Sequence, residues 1–102
     1  MLALLKRLFG GKPVNYKELV SKGAIIVDVR STGEYKAGHI PGSKNFSLDN
    51  IRSKVNDLKK INKPVITVCR SGTRSGMAKG ILKSAGIEVY NGGPWTSLKS
   101  KL

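Results

Sequence analysis

Seven consecutive residues carry most of the chemistry this sequence offers: Cys69-Arg70-Ser71-Gly72-Thr73-Arg74-Ser75. The chain has one cysteine, so no internal disulfide can form and the thiol is free to react. A thiolate is a strong nucleophile and a thiol is not, so the question is what would hold this sulfur ionised. Gly72 permits a left-handed step, which lets the backbone amides from Arg70 to Arg74 turn inward as an anion nest. A helix beginning near Ser75 would aim its positive end at the same point. Arg70 and Arg74 add two fixed positive charges. All three effects favour thiolate over thiol, so the Cys69 pKa is expected well below the usual value of about 8.5. The same nest would hold an oxyanion beside the sulfur.

Nothing nearby supplies an obvious general base. The single histidine, His39, lies far upstream in a turn-rich stretch and is expected to be a hydrogen-bonded structural residue. No His, Cys, Asp or Glu cluster has metal-ligand spacing, so neither a metal nor a cofactor is expected.

The elements that must position these residues follow from periodicity. Pro64-Val65-Ile66-Thr67-Val68-Cys69 and Ala24-Ile25-Ile26-Val27-Asp28-Val29 are β-branched runs that read as strands buried on both faces. Asn15-Tyr16-Lys17-Glu18 resembles a capping box opening a short helix to about Lys22, ended by Gly23. Ser31 to Ser43 is glycine-rich, with Pro41-Gly42 as a turn, and reads as a loop with a helical turn near Glu34-Tyr35. Ser47 is expected to cap one helix through Leu48, Ile51, Val55 and Leu58. A further helix is expected over Ser75–Ala85, with Met77, Ala78, Ile81, Leu82 and Ala85 as its apolar stripe. Ile87–Tyr90 reads as a strand, Asn91-Gly92-Gly93-Pro94 as a turn, and Pro94 as the start of a last short helix. Helices alternating with apolar strands imply an open, mostly parallel α/β sheet covered on both faces. Such sheets bind ligands at the carboxyl ends of their strands, where Cys69 stands.

Length, charge and the N-terminus bound the rest. The chain has 102 residues, enough for one domain. Residues 12–102 are taken as that domain, and residues 1–11 as an extension or short helix before the Gly10-Gly11-Lys12-Pro13 break. Hydrophobic residues at 39 % and charged residues at 25 % fit a folded protein and argue against disorder. The net charge of +13 favours anionic partners, yet the lysines are dispersed and aromatics are few, so no dedicated nucleic-acid site is expected. Met1-Leu2-Ala3-Leu4-Leu5 is too short for a signal peptide or for the roughly 20 apolar residues of a membrane span. A lone unpaired cysteine fits a reducing, cytoplasmic setting.

Asp28-Val29-Arg30, Glu34-Tyr35, Gly38-His39-Ile40-Pro41-Gly42-Ser43 and Cys69 to Ser75 together resemble the two signature regions of rhodanese-family sulfurtransferases, in the same order and spacing. The likeness runs from about Val14 to the C-terminus, and points to a free-standing single domain. It implies a rhodanese-like open parallel sheet of five strands with helices on both faces. It implies that Cys69 takes a sulfane sulfur from a small anionic donor such as thiosulfate, as a persulfide, and hands it to cyanide, a thiol or a partner protein. Arg70, Ser71, Gly72, Thr73 and Arg74 would form the loop that cradles the persulfide, with both arginines binding the donor's oxyanion. Asp28, Arg30, Glu34, His39 and Ser75 would support the site from behind. Trp95 follows the Gly-Gly pair sooner than in most members. A monomer or weak homodimer is expected. Two alternatives remain. One is a non-catalytic binding module of the same fold. The other is a cysteine phosphatase or arsenate reductase, although Cys69 and Arg74 stand one residue closer than in related phosphatases and no Asp lies near to act as acid.

Overall fold

The two β-branched runs form the centre of the sheet. In the computed structural model, which describes residues 13–102, they are β1, Ile25–Asp28, and β3, Val65–Cys69. They pair in parallel from Ile25 opposite Val65 to Asp28 opposite Val68. β2, Lys44–Asn45, lies outside β1, and β4, Val89–Pro94, lies outside β3. The order is β2-β1-β3-β4, with every pairing parallel. The expectations for residues 1–11 lie outside the described residues.

Strand alternation splits the core in two. Val65 and Cys69 face one side, with Val27, Val29, Ile51, Leu58 and Leu82. Ile66 and Val68 face the other, with Ile26, Ile40, Leu98 and the partly buried Tyr16, Leu19 and Trp95. The first layer is covered by a 3₁₀ segment, Leu48–Lys54, by α3, Val55–Ile61, and by α4, Thr73–Ser84. The second is covered by α1, Tyr16–Ser21, and α5, Trp95–Ser100. Fully burying a Leu, Ile or Val is worth about 1.5–3 kcal/mol each, so these two layers fix the position of the strand ends.

The structure corrects several expectations. The sheet has four strands among the described residues, not five. Ahead of α1 only Pro13–Asn15 are described, without strand pairing. Pro13 has no N–H to donate, and Asn15 is engaged as the α1 N-cap, accepting from the Glu18 amide at 3.0 Å. The single helix expected over Leu48–Leu58 is a 3₁₀ segment followed by α3. The Ser47 side chain does not cap it. Instead Asn50 Nδ2 donates to Ser47 Oγ and Ser53 Oγ donates to the Asn50 carbonyl, the side-chain competition that weakens α-helix here. The Ser31–Ser43 loop contains α2, Thr32–Ala37. A full capping box opens it: Ser31 Oγ accepts from the Glu34 amide, and Glu34 Oε1 accepts from the Ser31 amide.

Asn91-Gly92-Gly93-Pro94 is strand, not turn. A Cβ at Gly92 would lie 2.9 Å from Ile66 Cγ2, so only glycine lets β4 close on β3, and the register shifts beside it, between Thr67 and Val68. On α4 the buried stripe is Ser75, Ala78 and Leu82. Met77 is 58 % exposed, because the inward-facing Ser75 hydroxyl rotates the helix away from the purely apolar stripe.

Candidate active site

β3 delivers Cys69 to the carboxyl edge of the sheet, and the chain then doubles back over it. Gly72 takes φ 103° as the residue before α4, a left-handed step that glycine makes without a Cβ clash. This turn aims the Gly72 amide at the sulfur, donating to Cys69 Sγ at 2.9 Å. The Ser75 Oγ lies 3.3 Å from the same atom. Ser75 therefore does more than start the helix: α4 begins at Thr73, and Ser75 hangs from its first turn onto the sulfur.

Cys69 is 0 % exposed. Burial pushes its thiol up, and it is the largest single influence. The Ser75 hydroxyl and the amides of Ser75, Gly72 and Ser71 outweigh it together, so the thiol is held below its ordinary value. The expected direction is correct, but its cause is not the expected one in full. Arg74 is coupled electrostatically to the sulfur, but hydrogen bonds from Ser75, Gly72 and Ser71 are the leading causes that lower it. Arg70 is exposed. Arg74 turns to α2 and makes a two-pronged pair with Glu34, Nη1 to Oε1 at 2.7 Å and Nη2 to Oε2 at 2.9 Å. This guanidinium, helped by the Ser31 amide, holds the Glu34 carboxyl down at about 2.

The first signature region forms a separate brace. The Asp28 carboxylate, fully buried, accepts from Arg30 Nε at 2.9 Å and Nη2 at 2.7 Å. Arg30 Nη2 also donates to the Gly38 carbonyl at 2.7 Å, and its guanidinium lies 4.7 Å from the centre of the Trp95 ring. Trp95 thus packs beneath the first loop despite its early position. His39 stacks on Tyr35 with ring centres 3.7 Å apart, and its Nδ1 meets the Tyr35 carbonyl at 2.7 Å. These two contacts hold it against α2.

Asn91 is the site residue that sequence reasoning missed. Its Oδ1 accepts from Ser75 Oγ at 2.7 Å and from the Gly93 amide at 2.9 Å, and its Nδ2 donates to the Gly72 carbonyl at 3.2 Å. Tyr16 Oη donates to its carbonyl at 3.1 Å. No local signal marks it, because its contacts to Ser75 and Gly72 cross from one strand to another loop.

A pocket of about 340 Å³ has Val29, Ser31, Leu48, Asp49 and Arg74 among its walls; Cys69 does not line it. Among the described residues, no group of three or more His, Cys, Asp or Glu is placed to hold a metal ion, and no helix is long and apolar enough to cross a membrane.

The chain is similar in sequence and fold to known proteins. The family model of the rhodanese-like domain matches residues 12–94. A thiosulfate sulfurtransferase, GlpE of Pseudoalteromonas translucida, is 40 % identical over 76 residues, covering 72 % of this chain and 71 % of that protein. YqhL of Bacillus subtilis is 36 % identical over 67 % of this chain, and the match spans about half of its length, 54 %. Among solved structures, a rhodanese with anions from E. coli superposes with a TM-score of 0.67 at 28 % identity, over 74 % of this chain and 91 % of that one. A rhodanese-like domain protein from Staphylococcus aureus does so with 0.66 at 30 % identity, over 93 % and 83 %. With the family model spanning most of its length and its parallel sheet superposing on rhodaneses, the chain belongs to the rhodanese-like domain family.

Proposed function

We propose that this protein is a sulfurtransferase that carries sulfur on Cys69. The Cys69 thiolate attacks the sulfane sulfur of a small anionic donor such as thiosulfate. The donor's S–S bond breaks, sulfite leaves with the electron pair, and a persulfide remains on the enzyme. A thiophilic acceptor (cyanide, a thiol or a partner protein) then attacks the outer sulfur, and the thiolate is restored. One observation carries this reading: the sulfur lies at the positive end of α4 with the Gly72 amide aimed at it at 2.9 Å. The relatives named thiosulfate sulfurtransferase support the same chemistry.

Cys69 is enclosed, and the Gly72 turn over it is tied down by its own amide on Sγ at 2.9 Å and by Asn91 Nδ2 and the Gly76 amide, which donate to its carbonyl at 3.2 and 3.0 Å. Arg70, in solvent, adds positive potential for an anionic donor.

Mass spectrometry tests the assignment. Incubation with thiosulfate should add one sulfur atom to Cys69, and cyanide should remove it with release of thiocyanate. Cys69→Ser should keep the fold and lose both steps. An unmodified mass on a thiol that still reacts with iodoacetamide favours a binding module, and hydrolysis of an aryl phosphate without thiocyanate formation favours a phosphatase. Either outcome overturns the proposal.

A further inference from the structure

The hydrogen-bond directions behind Cys69 form a closed chain of logic. A backbone amide can only donate, so the side-chain atom of Asn91 that meets the Gly93 N–H at 2.9 Å is its oxygen. The Nδ2 donation to the Gly72 carbonyl fixes the same orientation. Ser75 Oγ, 2.7 Å from that oxygen, must therefore donate to it. A serine hydroxyl has one proton, and here it is spent on Asn91. The contact of 3.3 Å between Ser75 Oγ and Cys69 Sγ then has a single sense in the resting state: the thiol donates to the hydroxyl. A Ser75 proton that stabilises a thiolate has first to leave Asn91.

We infer that Asn91 is a positioning residue for Cys69, acting through a two-position Ser75 hydroxyl that points to Asn91 in the resting thiol and to the sulfur once it is ionised. On ionisation the S–H bond breaks, its proton passes to water, and the electron pair stays on sulfur. The Ser75 O–H then turns from Asn91 Oδ1 to Cys69 Sγ. Asn91 Oδ1 is not orphaned, because it keeps the Gly93 amide. The exchange replaces one neutral hydrogen bond with a stronger charge-assisted one. Asn91 thus competes for the proton, and it holds the nucleophile less ionised than Ser75 alone would allow. As a regulation of the site, this rests on the reading of Cys69 as the nucleophile; the geometry does not.

The charged group coupled to Cys69 is Arg74 of α4, which is coupled in turn to Asp28 of β1. Each is closed in its own pair, with Glu34 and with Arg30, so changes at Ser75 and Asn91 leave them in place.

The chain's one cysteine makes the test direct, because the pH dependence of iodoacetamide alkylation reports Cys69 alone. Ser75→Ala should raise the midpoint by about 0.5–1 pH unit, the size of one hydrogen bond. Asn91→Ala should lower it by about 0.5 unit. The double variant should match Ser75→Ala, because Asn91 has no route to the sulfur without the hydroxyl. An Asn91→Ala shift that is upward, or that persists in the Ser75→Ala background, overturns the inference. Asn91→Leu repeats the cycle with better filling of the site. The infrared S–H band of the wild type is a check that needs no change at Asn91. It should lie below the free-thiol position and move toward it in Ser75→Ala, and an unmoved band overturns the inference. Alkylation requires no sulfur transfer. A protein that shows this coupling and takes no sulfur from thiosulfate sinks the functional proposal alone.

Discussion

The loop after β3 and the loop after β1 reach the same edge of the sheet and use opposite electrostatics. The first holds Cys69 with uncharged groups: the Gly72 amide, the Ser75 hydroxyl and, behind them, Asn91. The second is built from ions. Asp28 grips Arg30, and Glu34 reaches across to take Arg74 from the first loop. The charges of this site go to bracing, and the dipoles go to the Cys69 sulfur. There is a physical reason for that division. A guanidinium closed in a two-pronged carboxylate pair is largely neutralised as a neighbour, whereas fixed amide dipoles keep their orientation and cost little reorganisation.

The largest effect should come from opening the buried brace. Asp28→Ala leaves the Arg30 guanidinium, which is 4 % exposed, without its carboxylate, and should cost about 3–5 kcal/mol in chemical denaturation. A loss below about 1 kcal/mol would mean that the Gly38 carbonyl and Trp95 suffice to hold the loop. Arg74→Ala should cost less, about 0.5–1 kcal/mol, since both side chains of that pair are about one-third exposed (35 % and 33 %). Its alkylation midpoint should stay within about 0.3 pH unit of wild type, the few tenths left to a neutralised charge. A rise of a full unit would break the contrast by showing that the guanidinium acts on the sulfur.

Acid should sharpen the same comparison. Glu34 is held near 2, against 4.5 ordinarily, so the stability it contributes is complete above about 4.5 and is lost as pH falls towards 2. Glu34→Gln should remove that part of the acid dependence, and an unchanged acid limb would place the lost stability in other carboxylates. Arg70→Gln should do least. The KM for an anionic donor should rise about twofold at low salt, with the difference vanishing at high salt.

Much of the scaffold was legible. The β-branched runs could only be central strands, and Gly72 in a seven-residue stretch of polar and basic residues marked the turn that folds an amide onto Cys69. The Ser31-Thr32-Gly33-Glu34 spacing carried a capping-box signal, but glycine content concealed it, and the segment reads as loop until Glu34 is seen closing the box. Asn91 read as a turn residue because Asn-Gly-Gly is turn chemistry wherever no second strand presses against the glycines. Here Ile66 and Val68 do. Met77 seemed part of the buried stripe because periodicity registers apolarity alone, and an inward-facing serine hydroxyl has none.

What the residues themselves determined is the order of elements, the parallel sheet and a cysteine at a strand end with a glycine placed to turn an amide over it, since these depend on local torsional freedom and on the period of apolar side chains. Only the tertiary structure decided where the charges went and where the serine proton points. Glu34 and Arg74 lie 40 positions apart, and Ser75 and Asn91 lie 16 apart. Which donor meets which acceptor at such range is set by packing two loops on one sheet edge, and no local pattern encodes it.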